Sequence, residues 1–187
     1  LIYSGDNKFF IQHYNQNFVW NDTDKIGNYP FSDLVIMNGN ALVAGNQDLG
    51  ETNVIKTLRY NGDGTEDPEI LPTNVNATTR PAIAALEDEN GTIHAFLSFI
   101  DSEGTLVIRT YNSAQAGDFE WTTVDMCAGN DHITGIATNN TRDIDIEAIG
   151  DKVAIVYRKN ANTLGFAING SINNDNCWKT DFDDLTI

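Results

Sequence analysis

The side chains best suited to hold a ligand are two arginines set in one phrase, Thr79-Arg80 and Thr141-Arg142, each just ahead of an apolar run. A guanidinium is a planar, permanently charged fork of N–H donors, so two of them converging on one opening would grip a carboxylate or sulfate bidentately. The competing use is internal. Each arginine could pair instead with Asp33, Asp143 or Asp145, in a chain carrying 27 Asp+Glu against 11 Lys+Arg. Glycosylation sequons at Asn76 and Asn139 lie just upstream of both arginines, and a glycan there would crowd the opening. Catalysis finds less footing. His13, His94 and His132 are scattered, with no Ser or Cys nucleophile signature beside them. His94 falls in an alternating run, where a packed or edge role is expected. The 27 acids offer many carboxylate pairs for glycoside hydrolysis, but no spacing singles one out.

The elements that must position these residues are short strands. From Thr79 to Asp125 the chain reads as an apolar run (81–86), a turn (Glu89-Asn90-Gly91-Thr92), an alternating run (93–100) and a second turn (101–105). Two further strands follow, 106–111 and 119–124. Gly-bearing turns between such runs predict hairpins, hence one four-stranded antiparallel sheet. The same order recurs with strands at 144–148, 153–158, 164–168 and 177–180, and a divergent copy spans 31–75, with a loop expected over 45–53. Residues 1–28 read as the second to fourth strands of a further copy that lacks its first. A period of about 50 residues in all-β sequence predicts a β-propeller. The expected domain is a single propeller over 1–187 of about four four-stranded blades: 1–28 with 183–187, 31–75, 79–125 and 141–182. Asp184-Leu185-Thr186-Ile187 matches Asp33-Leu34-Val35-Ile36, so the C-terminus is expected to supply the missing inner strand and close the ring. The alternative is that both ends belong to a propeller with more blades. Trp20, Trp121 and Trp178 all occupy the outer-strand position, where core packing between blades is expected. The two arginines then sit on loops entering inner strands, at the mouth of the channel.

A net charge of −16 argues against nucleic acid or an anionic membrane as a partner, and leaves cations, sugars or a basic protein surface. No apolar run approaches the ~20 residues of a membrane-crossing helix. Cys127 and Cys177 fall on neighbouring repeats. A bridge between them would close a loop worth about 3–4 kcal/mol, and two buried free thiols are the alternative. Sequons at Asn21, Asn76, Asn90, Asn139 and Asn169 all fall in expected loops or turns. With the disulfide they point to a secreted or cell-surface protein. The chain begins at Leu1, consistent with a removed leader or a piece of something longer.

The string Arg80-Pro81-Ala82-Ile83, then Asn90-Gly91-Thr92-Ile93-His94, then Phe119-Glu120-Trp121 resembles the repeats of extracellular propellers of the sialidase-like (BNR-type) group. The likeness covers about 79–183 and implies the scaffold. The Asp-box of true sialidases is replaced by Asp88-Glu89-Asn90-Gly91-Thr92 and Asp101-Ser102-Glu103-Gly104-Thr105, which counts against sialidase activity. Asn61-Gly62-Asp63-Gly64-Thr65-Glu66-Asp67 resembles the calcium loops of FG-GAP repeats. That resemblance places Asn61, Asp63 and Asp67 as oxygen ligands and makes Ca²⁺ the one candidate cofactor, with Arg59 standing where the first acid belongs. The other reading of this stretch is a plain hairpin turn. A four-bladed count also suits a hemopexin-like ring, whose blade signatures are absent. The expected function is a non-catalytic, secreted or cell-surface glycoprotein that binds a glycan or protein as an adhesion module. The alternatives are a structural subunit or processed fragment of a larger assembly or filament, built from other copies or chains, and a glycosidase or sialidase-like enzyme.

Overall fold

The computed structural model describes residues 2–5, 8–14, 20–27, 31–37, 40–48, 53–60, 66–70, 79–114, 120–136, 144–170, 177–180 and 185–186. Every regular element among them is a β-strand. The first sheet is β1 (Ile2–Gly5), β2 (Lys8–Tyr14) and β3 (Trp20–Gly27), in that order. The second is β4 (Phe31–Met37), β5 (Asn40–Asp48), β6 (Asn53–Tyr60) and β7 (Glu66–Ile70). The third is β8 (Ala82–Glu87), β9 (Ile93–Ile100), β10 (Leu106–Asn112) and β11 (Thr122–Thr123). The fourth is made of β12 (Asp125–Met126), β13 (Ile144–Ile149), β14 (Lys152–Asn160), β15 (Thr163–Asn169), β16 (Cys177–Lys179) and β17 (Leu185–Thr186), in the order β12, β16, β15, β14, β13 with β17 on β15. Within the second, third and fourth sheets successive strands pair antiparallel, as the hairpin signals require.

Period-two alternation decides how the sheets stack. Register aligns Ala84 with Phe96 and Ala85 with Ala95, so neighbouring positions leave opposite faces of the third sheet. One face (Ala82, Ala84, Leu86, Phe96, Ile100, Leu106, Ile108) packs on Ile146, Val153, Ile155, Tyr157 and Trp178 of the fourth sheet. The other (Ile83, Ala95, Leu97, Phe99, Tyr111, Trp121) packs on Met37, Leu42, Ala44 and Ile55 of the second. The first strands β4, β8 and β13 lie side by side along one line. The alanines of β8 permit this, because a small side chain lets neighbouring backbones approach. β9 is buried on both faces from Ala95 to Ile100, which is why its sequence there is almost unbroken apolar.

Trp121 and Trp178 serve packing, as expected from their repeat position, and the side chain of Trp20 lies outside what the structure describes. Trp121 donates from Nε1 to Thr57 Oγ1 at 2.9 Å and meets Tyr111 edge-on. Trp178 is fully buried, edge-on to Phe96 at 5.8 Å between centroids. Its Nε1 finds no acceptor among the described residues, so apolar contact is what it contributes.

Three sequence expectations need correction. The loop expected over 45–53 is largely strand: β5 runs on to Asp48 and pairs it with Asn53. The outer strand of the first sheet is β3, beginning at Trp20, rather than a strand ending there. The C-terminal strand does not complete the first sheet. β17 pairs with β15, Thr163 opposite Thr186 and Leu164 opposite Leu185, on the edge where β16 pairs Ile168 with Lys179. Following the edge already occupied closes a shorter loop than crossing to another sheet, and the cost of closure favours it.

Truncation of Trp178 to Ala removes the largest fully buried side chain in this interface. It is expected to cost about 3–5 kcal/mol, measured by urea unfolding, whereas exposed Ile149→Ala should cost under about 1 kcal/mol.

Candidate functional site

Two regions gather polar side chains: the line of first strands and the outer margin between the third and fourth sheets. At the first, Asp33 ties β4 to β8. Its Oδ1 accepts Leu34 N–H and its Oδ2 accepts Ile83 N–H, both at 2.8 Å. Asp145 on β13 likewise accepts Ile146 N–H at 3.0 Å. Burial raises the Asp33 pKa above its ordinary 3.8. The two N–H bonds oppose that rise, and the negative charges of Asp145 and Glu147 add to it. Asp145 and Glu147 therefore act on Asp33 across the line of first strands.

Of the arginines expected at this end, Arg80 is exposed and Arg142 lies outside the described residues. Thr79 in the same phrase is structural: buried, its Oγ1 accepts Ile100 N–H at 2.8 Å.

The turns that replace Asp-boxes share one hydrogen-bond plan. Asp88 Oδ1 accepts the N–H groups of Asn90 and Thr92, and Asp101 Oδ1 those of Glu103 and Thr105. In each, Gly91 or Gly104 takes φ of 78°, a left-handed geometry that only glycine adopts without strain. His94 closes the first turn through Nε2 to Asp88 Oδ2 at 2.9 Å. That contact, with the Thr92 bond, draws the Asp88 pKa below 3.8. His94 is thus a turn lock. The side chain of His13 is not described.

Of the calcium candidates, Asn61 and Asp63 lie outside the described residues, and Asp67 stands on β7 opposite Arg59. Arg59 donates from Nη1 to Tyr111 Oη at 2.8 Å and lies 6.0 Å from the centre of its ring. Among the described residues no three His, Cys, Asp or Glu side chains are placed to hold a metal.

The sequons divide. Asn90 is exposed in its turn, and Asn76 and Asn139 lie outside the described residues. Asn21 lies on β3 rather than in a loop. Asn169 requires correction, because its side chain is buried and its Oδ1 accepts Val153 N–H. A glycan cannot project from that position.

The outer margin is built by a covalent bond. After β11 the chain leaves the third sheet, and β12 joins the fourth by pairing parallel with β16, Asp125 opposite Cys177 and Met126 opposite Trp178. The next residue, Cys127, bonds to Cys177 with Cα atoms 4.8 Å apart, and its N–H reaches Trp178 C=O at 2.9 Å. The expected disulfide is present. From it a strap, residues 127–136, runs back to the third sheet. Thr180 N–H donates to Asn130 Oδ1, and Thr180 Oγ1 to Asp131 C=O. At the far end Leu106 N–H donates to Ile133 C=O, and Ile136 N–H to Gly104 C=O.

Two cavities that share part of their lining form a groove along this strap. Its apolar part, about 160 Å³, is walled by Leu106, Ile108, Val124, Met126 and Ile133, with Arg109 and Thr123 among its polar lining. Its polar part, about 370 Å³, is lined by residues including Asn130, Asp131, Tyr157, Lys159 and Phe166. His132, Ile133 and Thr180 belong to both. Neither part was marked by the sequence reading, which set His132 aside. The available signal was the polar stretch after Cys127, too long for a hairpin turn and anchored by a cysteine.

No family model and no curated protein sequence matches the chain. Among solved structures it is similar to a fucose lectin from Kordia zhangzhouensis in complex with methyl-fucoside, at 10% identity and a TM-score of 0.48, over 82% of this chain and 99% of that one.

Two measurements follow. In an NMR titration of side-chain carboxyls, Asp33 should titrate above 3.8 and Asp88 below it. With its folded pKa raised, Asp33 contributes most stability below 3.8 and loses it as pH rises through the folded value. Asp88 has the opposite sign: its contribution is present above 3.8 and lost as pH falls through the folded value. Separately, a Cβ on Gly104 would lie 2.4 Å from Ile136 C=O, whereas one on Gly129, also at positive φ, meets nothing within 4 Å. Gly104→Ala should therefore cost about 2 kcal/mol more than Gly129→Ala in urea unfolding.

Proposed function

We propose that the protein is a carbohydrate-binding module built as a β-propeller, acting outside the cell, and that the groove beneath the strap takes the sugar. What supports the propeller is the repeated relation between sheets, face against face with first strands side by side, which a ring of blades continues. What supports a sugar is the composition of the groove. A saccharide ring has an apolar face and a rim of hydroxyls, so it needs an apolar or aromatic wall beside amides, hydroxyls and charges. The join of the groove's apolar and polar parts at His132, Ile133 and Thr180 is the single observation that carries the reading. The disulfide fits an oxidising compartment, and no helix among the described residues is long and apolar enough to cross a membrane.

A second reading, a subunit of a larger assembly, draws on the face of the fourth sheet turned away from the third. There Ile149 is 62% and Phe166 37% exposed. Glycosidase chemistry has no comparable support among the described residues.

Titration of labelled protein with a panel of monosaccharide glycosides is expected to move backbone resonances of His132, Ile133 and Thr180. Thr134→Ala together with His132→Ala, two exposed strap residues, should weaken binding about tenfold, a loss of about 1.4 kcal/mol. Shifts confined to Arg80, Asp33 and Asp145 would move the site to the first strands and sink the groove. Concentration-dependent sedimentation would instead favour the assembly reading.

A further inference from the structure

The groove reverses the charge bias of the chain. The protein carries 27 Asp+Glu against 11 Lys+Arg, yet among the described residues the groove is lined by two cations, Arg109 and Lys159, beside His132, against one acid, Asp131. Arg109 is the sharper observation. It is half-buried, its Nη1 donates only to the neutral hydroxyl of Thr123, and its Nε is buried without an acceptor. No carboxylate pairs with it among the described residues. Placing a guanidinium partly out of water without a counter-charge is costly. In a chain this rich in acids a compensating carboxylate would be the simplest remedy, and none is found among the described residues.

Resting on the groove as the sugar site, we infer that its ligand is an anionic saccharide, one bearing a carboxylate or sulfate, and that Arg109 supplies the counter-charge. The fork of a guanidinium matches the two oxygens of either group. The ring lies against the apolar wall by Val124 and Ile133, and Lys159 and His132 line the polar end. The rest of the acidic surface repels anions at long range. Selection must therefore be made by contact, inside a Debye length of about 8 Å at physiological salt.

The test is a matched pair measured calorimetrically at physiological ionic strength: methyl β-glucuronide and methyl β-glucoside, which differ by a carboxylate against a hydroxymethyl group. Glucose 6-sulfate separates sulfate from carboxylate. The glucuronide or the sulfate is expected to bind at least about tenfold more tightly than the glucoside. Arg109→Gln should remove that preference, while Lys152→Gln, an exposed lysine at the start of β14, leaves it intact. Arg109→Lys, which keeps the charge and loses the fork, serves if the glutamine variant fails to fold, and should keep only part of the preference. Equal affinity for glucoside and glucuronide, with shifts at His132 and Thr180, would overturn the anionic ligand and leave the sugar groove standing. A preference unchanged in both Arg109 variants would overturn the role of Arg109. Absence of any shift in the groove at millimolar sugar would overturn both readings.

Discussion

The structure depends on covering the third sheet on both faces at once. β9 exposes no apolar side to water, and its odd and even positions face different neighbours. Removing either neighbour would open a row of aromatic and aliphatic side chains, at roughly 25 cal/mol per Å² of apolar surface. The small residues of β8 follow from the same demand. Ala82, Ala84 and Ala85 sit where three first strands crowd together, and larger side chains would force the sheets apart.

The price of such crowding is paid in polar groups. Backbone N–H groups of first strands that face another sheet have no ladder partner, and Asp33 fills that need by accepting from its own strand and from β8. The result is an acidic line in which the charges of Asp145 and Glu147 raise the cost of ionising Asp33. At the outer margin the short parallel pairing of β12 with β16 carries the chain from the third sheet to the fourth. There the chain uses a disulfide and a strap fixed by backbone bonds at one end and by Thr180 at the other. The disulfide spans 50 residues, for which the chain-entropy model gives about 4 kcal/mol. A groove forms where the strap bridges the gap. Rigid sheets on either side and a tethered strap above give it a defined shape without burying its polar lining.

Local patterns alone located most strands in the second half of the chain. Alternation and Gly-bearing turns placed β9 at the residues where it is found, 93–100, and the positive φ of Gly91 and Gly104 accounts for the turn signals. Trp121 and Trp178 were legible as interface aromatics and the two cysteines as a bridge, because repeat position and residue type are local facts. Expectations failed where two outcomes share one local pattern. Ser32–Ile36 and Asp183–Ile187 look alike, yet one heads a sheet as part of β4 while the other includes β17, trailing along β15. Asn169 reads as an accessible sequon, but the side chain turns inward to satisfy Val153.

The candidate site was the least legible part. Arg109, His132 and Lys159 come from a third strand, a strap and the second strand of another sheet, with no shared spacing to announce them. By itself the sequence determined the all-β class, the four-stranded second and third sheets and the acidic character, since these rest on periodicity, turn chemistry and composition. Only the tertiary structure decided which strand takes the C-terminal edge, which asparagine is buried and which charges meet at a cavity. Those outcomes are set by competition between distant segments for the same edge, the same donor and the same space.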